Sequence, residues 1–144
     1  MMNPFKNFRF RVEIDNITSA AFSEATIADS TTDAIEYREG NDPLHVRKLS
    51  GLTKYGNITL KRGVTDSMEL YNWKRAIEES GAEGSGARRS VSITIVDDEG
   101  NDKARWEITK AWPTKYDPSD MNAKGNEVVI EVLELVHEGI RRVM

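Results

Sequence analysis

The chain has 144 residues, of which 38% are hydrophobic and 31% charged, and its net charge is −4. That length supports one soluble domain, over residues 1–144, with its own hydrophobic core. The absence of cysteine excludes disulfides, thiolate catalysis and Cys-ligated zinc.

The opening MMNPFKNFRFRVEIDN has no continuous apolar stretch and does not read as a secretory signal. No later run approaches the ~18 apolar residues of a membrane helix. FRFRVEI at residues 8–14 alternates strictly. Phe8, Phe10, Val12 and Ile14 fall on one side and Arg9, Arg11 and Glu13 on the other, which predicts a strand. Residues 20–26 form a less regular second strand. Ile35 and Tyr37 mark a third, closed by the turn-rich EGNDP at residues 39–43. Residues 57–62 form a short strand in which Ile58 and Leu60 alternate with Thr59 and Lys61.

The period then changes. DSME at residues 66–69 has the spacing of an N-cap with a capping box. Leu70, Trp73, Ala76 and Ile77 follow at helical intervals, and Ser80-Gly81 ends the helix. GAEGSGA at residues 81–87 is a surface loop. Val91, Ile93 and Ile95 alternate with Ser92 and Thr94. DDEGND at residues 97–102 is a hairpin turn, and Ala104, Trp106 and Ile108 define the return strand. Pro113 is expected to end that strand, leaving a polar loop over residues 116–127.

VVIEVLELV at residues 128–136 fits neither period cleanly; its Val and Ile content favours a strand. Val129, Glu131, Leu133 and Leu135 then share one side, with Val128, Ile130, Val132, Glu134 and Val136 on the other. Both sides are largely apolar, so a second layer or a neighbouring subunit should cover them. Six or seven strands and one helix predict a mainly β fold: a small antiparallel barrel or sandwich with one flanking α-helix.

No catalytic residue, metal site or cofactor is assigned, and no enzymatic activity is expected. His45 and His137 lack metal-ligand spacing and read as surface or interface residues. Glu131 and Glu134 point to opposite faces of a strand and cannot share a substrate. Gly84 and Gly86 follow a helix rather than opening one, which does not suit a phosphate cradle. Trp73, Trp106 and Trp112 read as packing residues.

One segment stands out. LHVRKLSGLTKYGNITLKRG, residues 44–63, carries Arg47, Lys48, Lys54, Lys61 and Arg62 and no acidic residue. Residues 64–144 hold eleven Lys and Arg against sixteen Asp and Glu. Three readings stay open: a solvated loop, a phosphate-binding patch, or a contact with a carboxylate-rich surface on another copy. Nucleic-acid binding is disfavoured by the negative overall charge and the lack of any recognised motif. Glu127, Glu131, Glu134 and Glu138 supply an acidic surface for the third reading.

Several blocks together resemble the tail tube proteins of contractile phage tails and phage-like extracellular injection systems. They are EYREG (36–40), RKLSGLTKYGNITLKRG (47–63), Arg105-Trp106, AWPTKY (111–116), NAKGNE (122–127), EVLEL (131–135) and HEG (137–139). The resemblance spans roughly residues 8–142. Residues 20–33 depart from it: relatives often carry a Gly-rich turn there, where this chain has SEATIADSTTD (23–33).

The resemblance implies the fold of tail tubes and of type VI secretion ring proteins. It also implies homohexameric rings stacked into a hollow tube, with a contractile sheath, baseplate, spike and tube-terminator proteins as partners. Cargo could travel in the lumen; specific nucleic-acid or membrane binding is not expected. Assembly would occur in the bacterial cytoplasm, and the product would belong to a virion or an injection particle. A free secreted ring or effector carrier of the type VI class is the alternative.

In the family a loop reaches the adjacent ring. By motif match it covers about residues 40–55. Leu44, Val46, Leu49, Leu52 and Tyr55 would be apolar anchors there, and Arg47, Lys48 and Lys54 would be its cations. Arg9, Arg11 and Glu13, or the polar residues of other strands, would line the lumen.

Overall fold

In the computed structural model, residues 9–15, 17–20, 22, 24–38, 40, 46–64, 67–84, 86–118 and 130–144 are described. Alternation builds the first sheet. β1 (Arg9–Ile14) turns Val12 and Ile14 into the core and pairs antiparallel with β2 (Ile17–Ala20). Residues 20–26 are not one strand: β2 ends at Ala20, Phe22 is buried, and β3 begins at Glu24 (Glu24–Ile27). Phe8 lies outside the described residues.

β4 (Ser30–Tyr37) and β5 (Arg47–Tyr55) form a separate two-stranded ribbon. β6 (Ile58–Gly63) returns to the body, with Ile58, Leu60 and Arg62 buried. Helix α1 (Glu69–Ser80) buries Leu70 and Trp73 and packs against the strand over residues 102–118. Its N-cap is Met68, without a side-chain cap, whereas a capping box from Asp66 was expected; Asp66 lies outside the described residues. The helix ends as expected. Gly81, at φ 73°, donates its N–H to Ile77 O at 2.8 Å, a backbone angle a side chain would disfavour. The Trp73 indole donates to Ala87 O at 2.6 Å, satisfying its polar edge inside the core.

β7 (Arg89–Val96) and β8 (Asp102–Pro118) are joined by the expected turn, in which Asp97 Oδ1 accepts from the N–H groups of Glu99 and Asn101. β8 runs straight through Pro113, contrary to expectation. β7 pairing stops at Ala111, opposite Arg89, so from Trp112 onward β8 is paired only with β9 (Ile130–Val136). A proline fits there because the missing N–H faces an unpaired edge, and the register shifts just after it. The apolar last run is a strand, and Glu131, Leu133 and Leu135 point inward as the parity predicts. β10 (Gly139–Arg142) continues it along the first half of β8.

The strand order is β2-β1-β7-β8-β9-β6-β3, with β10 also on β8. Lys110, at φ 51°, lies where β8 passes from one half of this sheet to the other. The core sits between the halves, with Val12, Ile93 and Ile108 facing Ile58, Leu60 and Leu133. The fold is mainly β and antiparallel with one helix. Among the described residues, the outermost strands β2 and β3 do not pair with each other, which leaves the barrel open there.

Candidate assembly surfaces

The β4–β5 ribbon is the first surface. Its register sets Tyr37 opposite Arg47, Glu36 opposite Lys48, and Ile35 opposite Leu49. Thr32 and Thr53 share a hydroxyl hydrogen bond at 2.8 Å. Gly51 leaves room for Ile35: a Cβ on Gly51 would stand 2.9 Å from Ile35 Cδ1. Every described residue of β4 is exposed, as is all of β5 except half-buried Gly51. Leu52 is 73% exposed, Ile35 52%, Leu49 50% and Val46 43%. An isolated two-stranded ribbon is marginal in water, and its exposed apolar side chains make it a candidate contact surface.

The root of the ribbon is fixed to the body. Gly56 N–H donates to Asp29 O at 2.8 Å, and Ala28 N–H to Asn57 O at 3.2 Å. His137 Nε2–H donates to Gly56 O at 3.1 Å, while its ring lies 5.5 Å from that of Tyr55. Gly56 has no space for a side chain, since a Cβ would run into Ala28 and Asp29.

The predicted arm residues Val46, Arg47, Lys48, Leu49, Leu52, Lys54 and Tyr55 thus come together on one exposed element. Leu44 and His45 lie outside the described residues. The basic segment is less uniform than its sequence suggests. Lys61 pairs with Glu24 at 3.3 Å, and Arg62 is buried. On the ribbon itself, acidic β4 lies against basic β5. The sequence reading missed Ile35 and Tyr37 as part of this surface; their alternation next to a turn was the available signal.

The expected acidic surface does not form as one patch. Glu131 is 3% exposed, because it shares the inward side of β9 with Leu133 and Leu135. There Arg62 Nε donates to its Oε1 at 2.5 Å and the Tyr116 hydroxyl to its Oε2 at 2.6 Å. Burial and this contact push the Tyr116 hydroxyl up to about 12. Glu134 accepts from Asn57 Nδ2 at 2.6 Å, and Glu138 pairs with Arg88 at 2.8 Å and Lys110 at 3.5 Å. Glu127 lies outside the described residues.

Arg9, Arg11 and Glu13 share the side of β1 opposite the core, and Arg11 binds Glu13 at 2.8 Å. Among the described residues, no cluster of three or more acidic or histidine side chains is placed to hold a metal, and no helix is long and apolar enough to cross a membrane.

Residues 6–141 match the model of the family described as T4-like virus tail tube protein gp19. No curated protein matches the chain. Among solved structures, a chain of the anti-feeding prophage cap, described as a tube-terminating cap, is 25% identical, with a TM-score of 0.81 over 99% of this chain and 93% of that one. A chain of the PVC extracellular contractile injection system sheath–tube complex in its extended state is 24% identical, with a TM-score of 0.81 over 97% and 91%. Hcp1 from Flavobacterium johnsoniae is 15% identical, with a TM-score of 0.62 over 92% and 93%, a likeness of fold.

Proposed function

The chain belongs to the T4-like virus tail tube protein family, and from that membership we infer that it is the repeating subunit of the inner tube of a contractile particle. One domain forms hexameric rings, the rings stack, and a surrounding sheath drives the hollow column through a target envelope on contraction. The protein has a mechanical role and no bond chemistry. Its partners are further copies of itself, the sheath, the baseplate with its spike, and a terminator at the far end. It is assembled in the bacterial cytoplasm and then belongs to a virion or an injection particle.

The observation that carries this reading is the ribbon of β4 and β5, exposed along both strands and tied to the body at its root. A ring needs two different surfaces that fit each other, and so does a stack. The ribbon supplies one for stacking. Among the described residues, the outer edges of β2, β3 and β10 pair with no further strand, and they would supply hydrogen-bonding groups for neighbours in the ring. Exposed ion pairs add only about 0–1 kcal/mol each. Arg47, Lys48 and Lys54 therefore set register and encounter rate, while Leu49, Leu52 and Ile35 provide affinity.

Electron microscopy of the purified protein, alone and co-expressed with sheath and baseplate, is expected to show rings or tubes. In the variant Arg47→Glu/Lys48→Glu, stacking should fail while the melting transition of the subunit stays within a few degrees. Unchanged tubes would remove the cations from the stacking contact. Strictly monomeric particles under every condition would remove the tube reading itself. A second reading, a free secreted ring or effector carrier, is supported by the fold shared with Hcp1. Sheath and baseplate genes beside this one would favour the first reading.

A further inference from the structure

The register of the ribbon gives it two unlike faces. Thr32 pairs with Thr53 and Ala34 with Ser50, so two residues of β5, Gly51 and Leu52, stand opposite Asp33 alone. This is a β-bulge. It keeps Ser50 and Thr53 on one face and turns both Gly51 and Leu52 to the other. The geometry at Gly51 fixes which face that is, since a Cβ there would lie 2.9 Å from Ile35 Cδ1 and 3.3 Å from Asp33 Cβ. In an unbulged strand Leu49 and Leu52, three residues apart, would point to opposite sides. Here Tyr37, Ile35, Leu49 and Leu52 share one face, together with Arg47 and Lys54. The other face carries Glu36 opposite Lys48, Ala34 opposite Ser50, and the hydroxyl pair of Thr32 and Thr53 at 2.8 Å. Tyr55, at the root of that second face, lies against the ring of His137.

A head-to-tail contact needs a second, different surface on the same chain. Outside residues 35–55, the exposed large apolar side chains among the described residues are Val64, Met68 and Tyr71 around the start of α1, and Val143 and Met144 at the chain end. Met68 and Tyr71, three residues apart, fall on one side of the helix, and the Tyr71 ring stands edge-on to Tyr116 at 5.6 Å. β6 separates this group from the ribbon. Gly56 at the ribbon root precedes β6 and Val64 follows it, so the two lie at its opposite ends, roughly 20 Å apart for six extended residues. Charge is complementary too. The apolar face of the ribbon has Arg47 and Lys54 against Asp33, a net +1. Residues 64–80 have Asp66, Glu69, Glu78 and Glu79 against Lys74 and Arg75, a net −2.

We propose that the ribbon docks by its bulged, apolar face alone, on the start of α1 of a second copy of this chain. Ile35, Leu49 and Leu52 then lie against Val64, Met68 and Tyr71. The proposal rests on the tube reading and names both halves of its stacking contact. The ribbon leaves one end of β6 and its receiver lies at the other, so the same contact repeats along a column without closing on itself. The bulge is the device that makes this work. It gathers the leucines of β5 on one side, and the hydroxyl side is left facing water.

The test uses the full-length protein co-expressed with sheath and baseplate. Leu52→Thr/Thr53→Leu keeps the composition and moves one leucine to the hydroxyl face. Micrographs should show at least about tenfold fewer stacked rings, because a weakened contact is repeated at every subunit. Single rings and the melting temperature should be unchanged. Ser50→Gln, on the hydroxyl face, should stack like the wild type. Normal stacking by the exchanged variant, or lost stacking in Ser50→Gln, overturns the docking face. The receiving surface is read by cross-linking, which is clean because the chain has no cysteine. A short bismaleimide should link copies of Leu52→Cys/Met68→Cys into ladders on a denaturing gel, and should leave Leu52→Cys/Val143→Cys unlinked. Tubes without the Met68 ladder overturn the receiving surface. Each of these failures is scored with wild-type tubes present and leaves the tube reading standing. Wild-type protein that never stacks removes the tube reading and this contact with it.

Discussion

Arg62 and Glu131 show how one residue's placement depends on its strand's parity. Removing either partner leaves an uncompensated charge in the core, so Glu131→Leu should cost about 3–5 kcal/mol. Chemical denaturation would measure this. Arg62→Met combined with Glu131→Leu should recover much of the loss, because apolar replacements of similar volume often restore stability. Tyr116 adds a pH signature. Burial first, and then its bond to Glu131, raise its folded value to about 12 from 10. The native state thus holds this proton more tightly than the unfolded chain does. The stability it contributes is complete below pH 10 and is lost as the pH rises through about 12. Stability curves over that window should show an alkaline step that Tyr116→Phe abolishes.

At the scale of elements, Gly56 and the ribbon it anchors give a separate prediction. Gly56→Ala puts a methyl against Ala28 and Asp29 O, which shifts the root of the ribbon and leaves the β1–β7–β8 core untouched. Cooperative unfolding should persist, and electron micrographs should show few or no stacked rings. Ile35→Ser/Leu49→Ser should give the same phenotype with an intact root. Both pairs of outcomes separate stacking from folding.

Elements with one buried side were legible in the sequence: β1, the β7–β8 hairpin, α1 and the inward face of β9 all follow from apolar spacing. The ribbon was only half legible. Neither of its faces is buried within its own chain, so periodicity had no core to report, and β4 passed as an ordinary strand. Pro113 misled because whether a proline is tolerated depends on which edge lacks a neighbour, and that is a fact of topology. Glu131 was placed on the correct side of its strand but assigned to the surface. A carboxylate among leucines is readable as buried only once its cation, Arg62 from another strand, is known.

For the whole molecule, many charges among the described residues are paired within the chain: Arg88 and Lys110 with Glu138, Lys61 with Glu24, Arg11 with Glu13 and Asp102. Association between copies therefore has modest charge to draw on. Between about 0.05 and 0.5 M salt, the assembly rate followed by light scattering should fall several-fold, while the final yield of tubes changes little. A large loss of yield would mean that ion pairs, and not apolar contacts, hold the stack.

The ribbon also bears on how a column would grow. A two-stranded arm with nothing of its own to lie on gains its cover only from a surface that is already in place. Starting a new column then costs more than lengthening an old one, so elongation proceeds from a seed and free subunits wait. In such a column the number of starting platforms would set the number of columns, and the same bare strands proposed to hold the rings together would hold back spontaneous polymerisation.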